Sequence, residues 1–171
     1  MSRRTARPVA SLPFEQSVGY QIRMAHRAVQ RTLQGRIAPH GVTPGMWYFL
    51  RVLWAADGLT QSEISRRVGT MDPTTLTAIS AIERAGFVRR ERDAEDSRKI
   101  RIFLTPRGVA LRTALLPEAV AVVDAALKGF TPDQRQQFLG YLAAVQRNLE
   151  DEATAPVRAA RSRRRKADAD A

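Results

Sequence analysis

The chain has 171 residues, a net charge of +11 and a pI near 11.3. That is enough length for one domain with a sizeable core, and the basic balance points to a polyanionic partner, most often nucleic acid. It holds no cysteine and only two histidines, His26 and His40, which excludes disulfides, thiolate nucleophiles, thiol-oxidation sensing and Cys-based zinc sites.

No carboxylate-rich cluster suggests another metal, and no cofactor is expected. No apolar run approaches the roughly 18 residues of a membrane span, and the basic start lacks the apolar core of a secretory signal. The reading is therefore a cytoplasmic protein without a membrane partner.

Residues 1–13, with Arg3, Arg4 and Arg7, predict a disordered basic arm. A first helix, about 14–37, carries Val18, Ile22, Ala25, Val29, Leu33 and Ile37 on one stripe and Arg23, Arg27 and Arg31 opposite. A second, about 44–55, is apolar nearly all round and should be the buried centre. A short helix at about 61–68 and another at about 73–85 follow, separated by a Gly-containing turn.

Gly86 then ends the helical run, and Phe87 to Arg92 and Lys99 to Leu104 read as two strands. Ile100, Ile102 and Leu104 fall on one side, Lys99, Arg101 and Phe103 on the other. Helix five, about 106–129, contains Pro117, which predicts a kink. Helix six, about 132–150, lines up Phe138, Leu142, Val145 and Leu149. From about residue 153 an Arg-rich tail is expected to be disordered.

Helix starts are marked by Thr43-Pro44, Asp72-Pro73, Thr105-Pro106 and Thr131-Pro132, each a capping side chain before proline. Thr60 with Glu63 and Thr131 with Gln134 form capping boxes, and Leu59 with Ile64 can staple the first of them.

The two short helices form a helix-turn-helix. Packing Ile64 and Val68 against Leu76, Ile79 and Ile82 leaves Thr74, Thr75, Thr77 and Ala78 outward, at the end of a recognition helix that meets base edges. Ser62 and Arg66 on the preceding helix are further candidate DNA contacts. With no Arg or Asn among the outward positions, bidentate readout is limited and groove shape carries much of the specificity. A plain helical hairpin is the bland alternative. The strand pair disfavours it, because a polar loop flanked by Arg89, Arg90, Arg92, Arg98, Lys99 and Arg101 suits a wing over phosphates.

Asp96-Ser97-Arg98 followed by Leu104-Thr105 resembles the signature of the MarR family. Leu59-Thr60-Gln61, Asp72-Pro73-Thr74-Thr75-Leu76-Thr77 and Gly86-Phe87-Val88-Arg89-Arg90 are similar to that family's reading head. The resemblance spans about residues 14–150. It implies a mainly α winged helix-turn-helix in the order α1-α2-α3-α4-β-hairpin-α5-α6, assembled as a two-fold homodimer. It further implies dimerisation helices at about 14–38 and 106–150 within a domain at 14–152, and a reading head at about 57–105. In that reading Arg98 enters the minor groove, Asp96 braces the wing, and the operator is a pseudo-palindrome in double-stranded DNA.

Many such proteins release DNA on binding a small aromatic anion. Arg36 lies within the apolar stripe of helix one and Arg51 within helix two, one turn after Trp47, with His26 bordering the same face as Arg36. A buried guanidinium needs a partner. That partner is either an anionic ligand with its aromatic body against Trp47, or Asp57, Asp124 or a backbone carbonyl. The run from His40 to Leu50 is similar to MarR-type regulators of aromatic-acid catabolism, some of which respond to aromatic acyl-CoA.

The function implied is a transcriptional regulator, a repressor released by an aromatic acid or its thioester. A constitutive architectural DNA binder or an activator are the alternatives. No catalytic residue is expected: nucleophile elbow, P-loop, dinucleotide fingerprint and zinc helix are all missing from the sequence.

Overall fold

The computed structural model describes residues 12–167, with side chains through residue 152. Most of the expected basic arm and the last residues of the tail lie outside these bounds. Contacts divide the chain into two compact units, one up to Ala126 and one from Leu127 onward.

The first unit opens with a 3-10 turn at Phe14–Gln16 and then α1 (Val18–Ile37). Helix α1 starts later than the periodicity suggests, because Ser17 caps it by accepting from the Tyr20 N–H at 3.3 Å. There follow α2 (Pro44–Ala55), β1 (Leu59–Thr60), α3 (Gln61–Val68), α4 (Asp72–Arg84), β2 (Val88–Arg92), β3 (Ile100–Leu104) and α5 (Pro106–Ala126). The sheet is antiparallel in the order β1-β3-β2, with Leu59 opposite Ile102 and Arg90 opposite Ile102 on the other side. Strand β1 was not among the expected elements. Two residues carry no readable alternation, and only their pairing with β3 makes them a strand.

Local chemistry sets the boundaries. Thr60 Oγ1 accepts from the Glu63 N–H at 3.4 Å while Glu63 Oε2 accepts from the Thr60 N–H at 2.8 Å, the expected capping box. Thr105 Oγ1 accepts from the Gly108 N–H at 3.1 Å and donates to the Gly86 carbonyl at 2.8 Å, tying the start of α5 to the end of α4. Asp72 is a correction: α4 begins one residue early, with Met71 as its cap and Asp72 already helical.

The core joins Leu33 and Ile37 of α1, Trp47, Leu50, Leu53 and Trp54 of α2, and Ile64, Ile79 and Ile82 of the helix-turn-helix. Phe87, Ile102, Leu104, Leu111 and Leu115 belong to it as well. Trp47 and Trp54 meet edge to face at 5.7 Å, and Trp54 Nε1 donates to the Gly108 carbonyl at 2.9 Å, so the buried indole N–H is satisfied.

Two expectations about this core are revised. Helix α2 is not buried all round, since Tyr48 and Arg51 reach the surface. The α1 stripe is covered only at its C-terminal end, while Val18, Ile22 and Val29 remain exposed.

The second unit is built on α6 (Pro132–Ala167). Thr131 and Gln134 close the expected box, and Phe130 packs on Phe138 at 6.1 Å between ring centroids. The backbone stays helical well past residue 150, through most of the stretch expected to be a disordered tail. Alanine and arginine, which dominate it, are among the best helix formers.

Candidate nucleic-acid interface

Helices α3 and α4 are joined by Gly69, whose φ of 73° ends α3 in the left-handed conformation that glycine adopts without penalty. The rotation of α4 about its axis decides what it can read. Thr75 is fully buried, its Oγ1 2.6 Å from Ser65 Oγ on α3 and also donating to the Met71 carbonyl at 3.4 Å. This hydroxyl pair pins α4 to α3 from the inside. Thr75 is therefore not a base contact, contrary to the sequence reading. Ala78 is likewise turned inward and packs against the core. Leu76, expected inside, is 49% exposed.

The outward face of α4 is made of Thr74, Leu76, Thr77 and Arg84, with Pro73 at its start and Ser80 half-buried between. Ser62 and Arg66 are exposed on α3 and border a cleft with Gly69, Met71 and Pro73. Arg90, one of the cations expected to flank the wing loop, is engaged within the protein. It reaches across from β2 to donate to Ser80 Oγ at 2.9 Å and pairs with Glu83 at 3.1 Å, fixing the hairpin to α4. Alternation along β2 places this arginine on a face, but only the packing shows which helix it meets.

The wing is organised around Asp93. Its Oδ1 accepts from the Glu95 and Asp96 N–H groups at 2.8 and 3.0 Å, and its Oδ2 accepts from Arg101 Nε. Arg101 Nη1 in turn donates to the Gly58 carbonyl at 2.9 Å. Arg101, expected to touch DNA, is thus a latch between the wing base and the segment before β1. Arg89 is also engaged internally, donating to Glu91 at 2.7 Å and to the Leu104 carbonyl at 3.0 Å while lying 5.4 Å over the Phe103 ring. Arg98 stands at the tip, its side chain 89% exposed, with Asp96 Oδ1 accepting from its Nε at 3.0 Å. Lys99 reaches the same carboxylate at 3.5 Å. Asp96 thus orients the tip cations, and Asp93 holds the loop they stand on.

The bonds from the Asp96 and Glu95 backbone, and then from Arg101, hold the Asp93 carboxyl down to about 2 from its ordinary 3.8. Its folded value lies below its unfolded one. The stabilisation is therefore complete above about pH 4 and is lost as pH falls through about 2. Carbon-detected NMR of the side-chain carboxyls should show Asp93 titrating near pH 2, and Arg101→Met should move that midpoint upward. A wild-type midpoint at the ordinary aspartate value would remove the latch.

The four residues proposed for an effector do not form a buried charged cluster. Trp47 is buried, but Arg51 is exposed and stacks over the Trp47 ring at 5.7 Å. Arg36 is at the surface and pairs with Glu118 of α5 at 2.9 Å, a partner not among those expected. His26 is exposed on α1. Periodicity puts Arg36 in the apolar stripe of α1, but a long side chain escapes such a stripe by extending its charged end outward.

Among the described residues no group of three or more His, Asp or Glu side chains is placed to hold a metal ion, and no helix is long and apolar enough to cross a membrane.

Comparison with known proteins agrees with this geometry. The MarR family matches residues 42–100, the span from the core helix through the wing. The HTH-type transcriptional regulator TtmR of Methylorubrum extorquens is 34% identical over 133 residues, covering 76% of this chain and 66% of that protein. The chain thus spans just under two thirds of that relative's length. The homoprotocatechuate degradative operon repressor of Escherichia coli is 26% identical, over 66% of this chain and 76% of the relative. A MarR transcriptional regulator from Methanosarcina mazei superposes with a TM-score of 0.70 at 29% identity, covering 77% of this chain and 94% of that one. With the helix-turn-helix, the latched wing and the element order in place, the chain belongs to the MarR family of winged helix-turn-helix transcriptional regulators.

Proposed function

We propose that this chain is a sequence-specific repressor that binds a pseudo-palindromic operator as a homodimer and is released by a small aromatic acid or its acyl-CoA thioester. The observation that carries the DNA-binding reading is the outward face of α4 standing beside a wing whose tip cation, Arg98, is almost wholly exposed. A dimer is supported by apolar surface left exposed within each unit. Val18, Ile22 and Val29 lie bare on α1, as do Leu139 and Leu149 on α6. The aromatic effector is supported by the relative that represses a homoprotocatechuate operon, and the exposed Arg51, resting on the buried Trp47 ring, is a cation that the carboxylate of such an acid would meet. Access to the chromosome makes the cytoplasm its place of action.

Selection from random duplexes tests the central reading. The expected product is an imperfect inverted repeat with half-site centres about 10 base pairs apart, bound by a particle of twice the 19.1 kDa chain mass in sedimentation. Enrichment without a consensus would leave only an architectural binder. An effector that lowers operator affinity ten- to hundredfold needs about 1.4–2.8 kcal/mol of coupling, and operator must weaken its binding by the same factor. Calorimetry of homoprotocatechuate, benzoates, cinnamates and their thioesters, with and without operator, checks that equality; equal binding in both conditions excludes release.

A further inference from the structure

We infer that Leu76 is a base-reading residue that packs on the 5-methyl group of a thymine in each operator half-site. This rests on the DNA-binding reading above and adds to it the residue and the base feature it selects.

The inference begins with a rotation. In a helix-turn-helix the inward positions of the second helix normally go to apolar residues, yet here the inward slot is taken by Thr75, fully buried against Ser65. One residue further, about 100° around the helix, Leu76 is turned outward and left 49% exposed. Its neighbours on that face are small. Pro73 has no N–H, the Thr77 hydroxyl already donates to the Pro73 carbonyl at 3.0 Å and keeps its methyl group and acceptor lone pairs, and Thr74 brings a short hydroxyl. Leu76 is therefore the large apolar side chain of the outward face of α4. Cations border that face: Arg66 is exposed on α3, Arg84 at the end of α4, and Arg98 at the wing tip.

A face that sets an exposed leucine among short hydroxyls and between cations fits a duplex better than it fits a protein. The cations match phosphates on either side of a groove. Within the major groove the base edges are donors and acceptors, except for one group, the thymine methyl. A leucine set against a donor or acceptor would displace water without replacing its hydrogen bond, at a net loss. Set against a thymine methyl, it buries apolar surface on both sides.

Deoxyuridine in place of thymidine removes that methyl and leaves base pairing untouched, which makes the test specific. Duplexes from the selection experiment are resynthesised with symmetric thymine-to-uracil changes, one position at a time, and binding is measured for the wild type and Leu76→Ala. Burial of one methyl corresponds to about fourfold in affinity, so the wild type should lose roughly fifteenfold at one position when both half-sites are changed. Leu76→Ala should start weaker on the thymine duplex and be indifferent to uracil at that same position, a coupling that neither single change explains. Its melting temperature and sedimentation should equal those of the wild type. Equal uracil penalties in both proteins at every position, or no penalty anywhere, overturn the inference. So does a Leu76→Ala protein that melts early or loses its dimer, since Leu76 is then covered by protein rather than DNA. If selection enriches no duplex, the DNA-binding reading itself fails, and that outcome is visible before any uracil is introduced.

Discussion

Replacing Arg98 by alanine is expected to weaken operator binding roughly tenfold or more while leaving the protein folded. Both halves of that statement follow from the geometry. The side chain is 89% exposed and its protein partner is Asp96, at 3.0 Å and half-buried. Exposed ion pairs of this kind contribute little to stability, so the fold should not register the loss. The wing keeps its shape through Asp93, Arg101 and the Gly58 carbonyl, none of which Arg98 touches. What is lost is a cation held out at the tip of a hairpin, where it can enter a narrow minor groove or sit between phosphates. The salt dependence separates this from a general weakening. Each phosphate neutralised adds about 0.9 to the slope of log K against log salt, so a dimer losing one contact per wing should lose nearly two. Unchanged affinity with an unchanged slope would mean that the wing does not meet DNA. Arg101→Ala should fail differently, through the order of the loop, with the amide signals of residues 93–99 broadening before DNA is added.

The second large effect is expected at Gly108, where alanine should destabilise the fold by about 2 kcal/mol. Two opposing terms must be weighed. Alanine in a helix interior gains about 1 kcal/mol over glycine. A Cβ at this position, however, would overlap the Phe87 carbonyl oxygen and lie 3.0 Å from its carbon and 3.2 Å from Leu104 Cδ2. Two of those atoms are backbone, so no side chain can swing aside. Helix α5 cannot withdraw freely either, because the Gly108 carbonyl accepts from Trp54 Nε1 at 2.9 Å and the Thr105 N–H donates to that same Phe87 oxygen at 3.0 Å. Overpacking of this kind costs about 1–3 kcal/mol and a lost buried hydrogen bond about 1 more, which together exceed the helical gain. For a chain of this size the melting temperature should fall by roughly 4–8 °C. A Gly108→Ala protein that melts with the wild type would show that α5 can shift without cost. Trp54→Phe, which removes only the donor, should cost less, and the two changes together should be less than additive.

Much of this protein was determined by short-range chemistry, and that part is legible in one dimension. The Thr60–Glu63 and Thr131–Gln134 boxes start α3 and α6 because their partners are three residues away. Gly69 and Gly86 stop helices by adopting positive φ, which depends on the residue and not on the fold. The order of the helices and of the two hairpin strands follows from such signals, whereas β1 exists only through its pairing with β3. Only the tertiary structure decided which residues of those elements are outward. Periodicity weighs Leu above Thr for the inside of α4, and the Ser65–Thr75 hydroxyl pair reverses that choice by satisfying a buried threonine from another helix. The wing latch joins Arg101 to Gly58 across 43 residues, and Arg36 finds Glu118 across 82. Neither can be read from spacing, because a long cationic side chain reaches whichever acceptor the packing brings near, and packing is settled by the burial of the whole core at once.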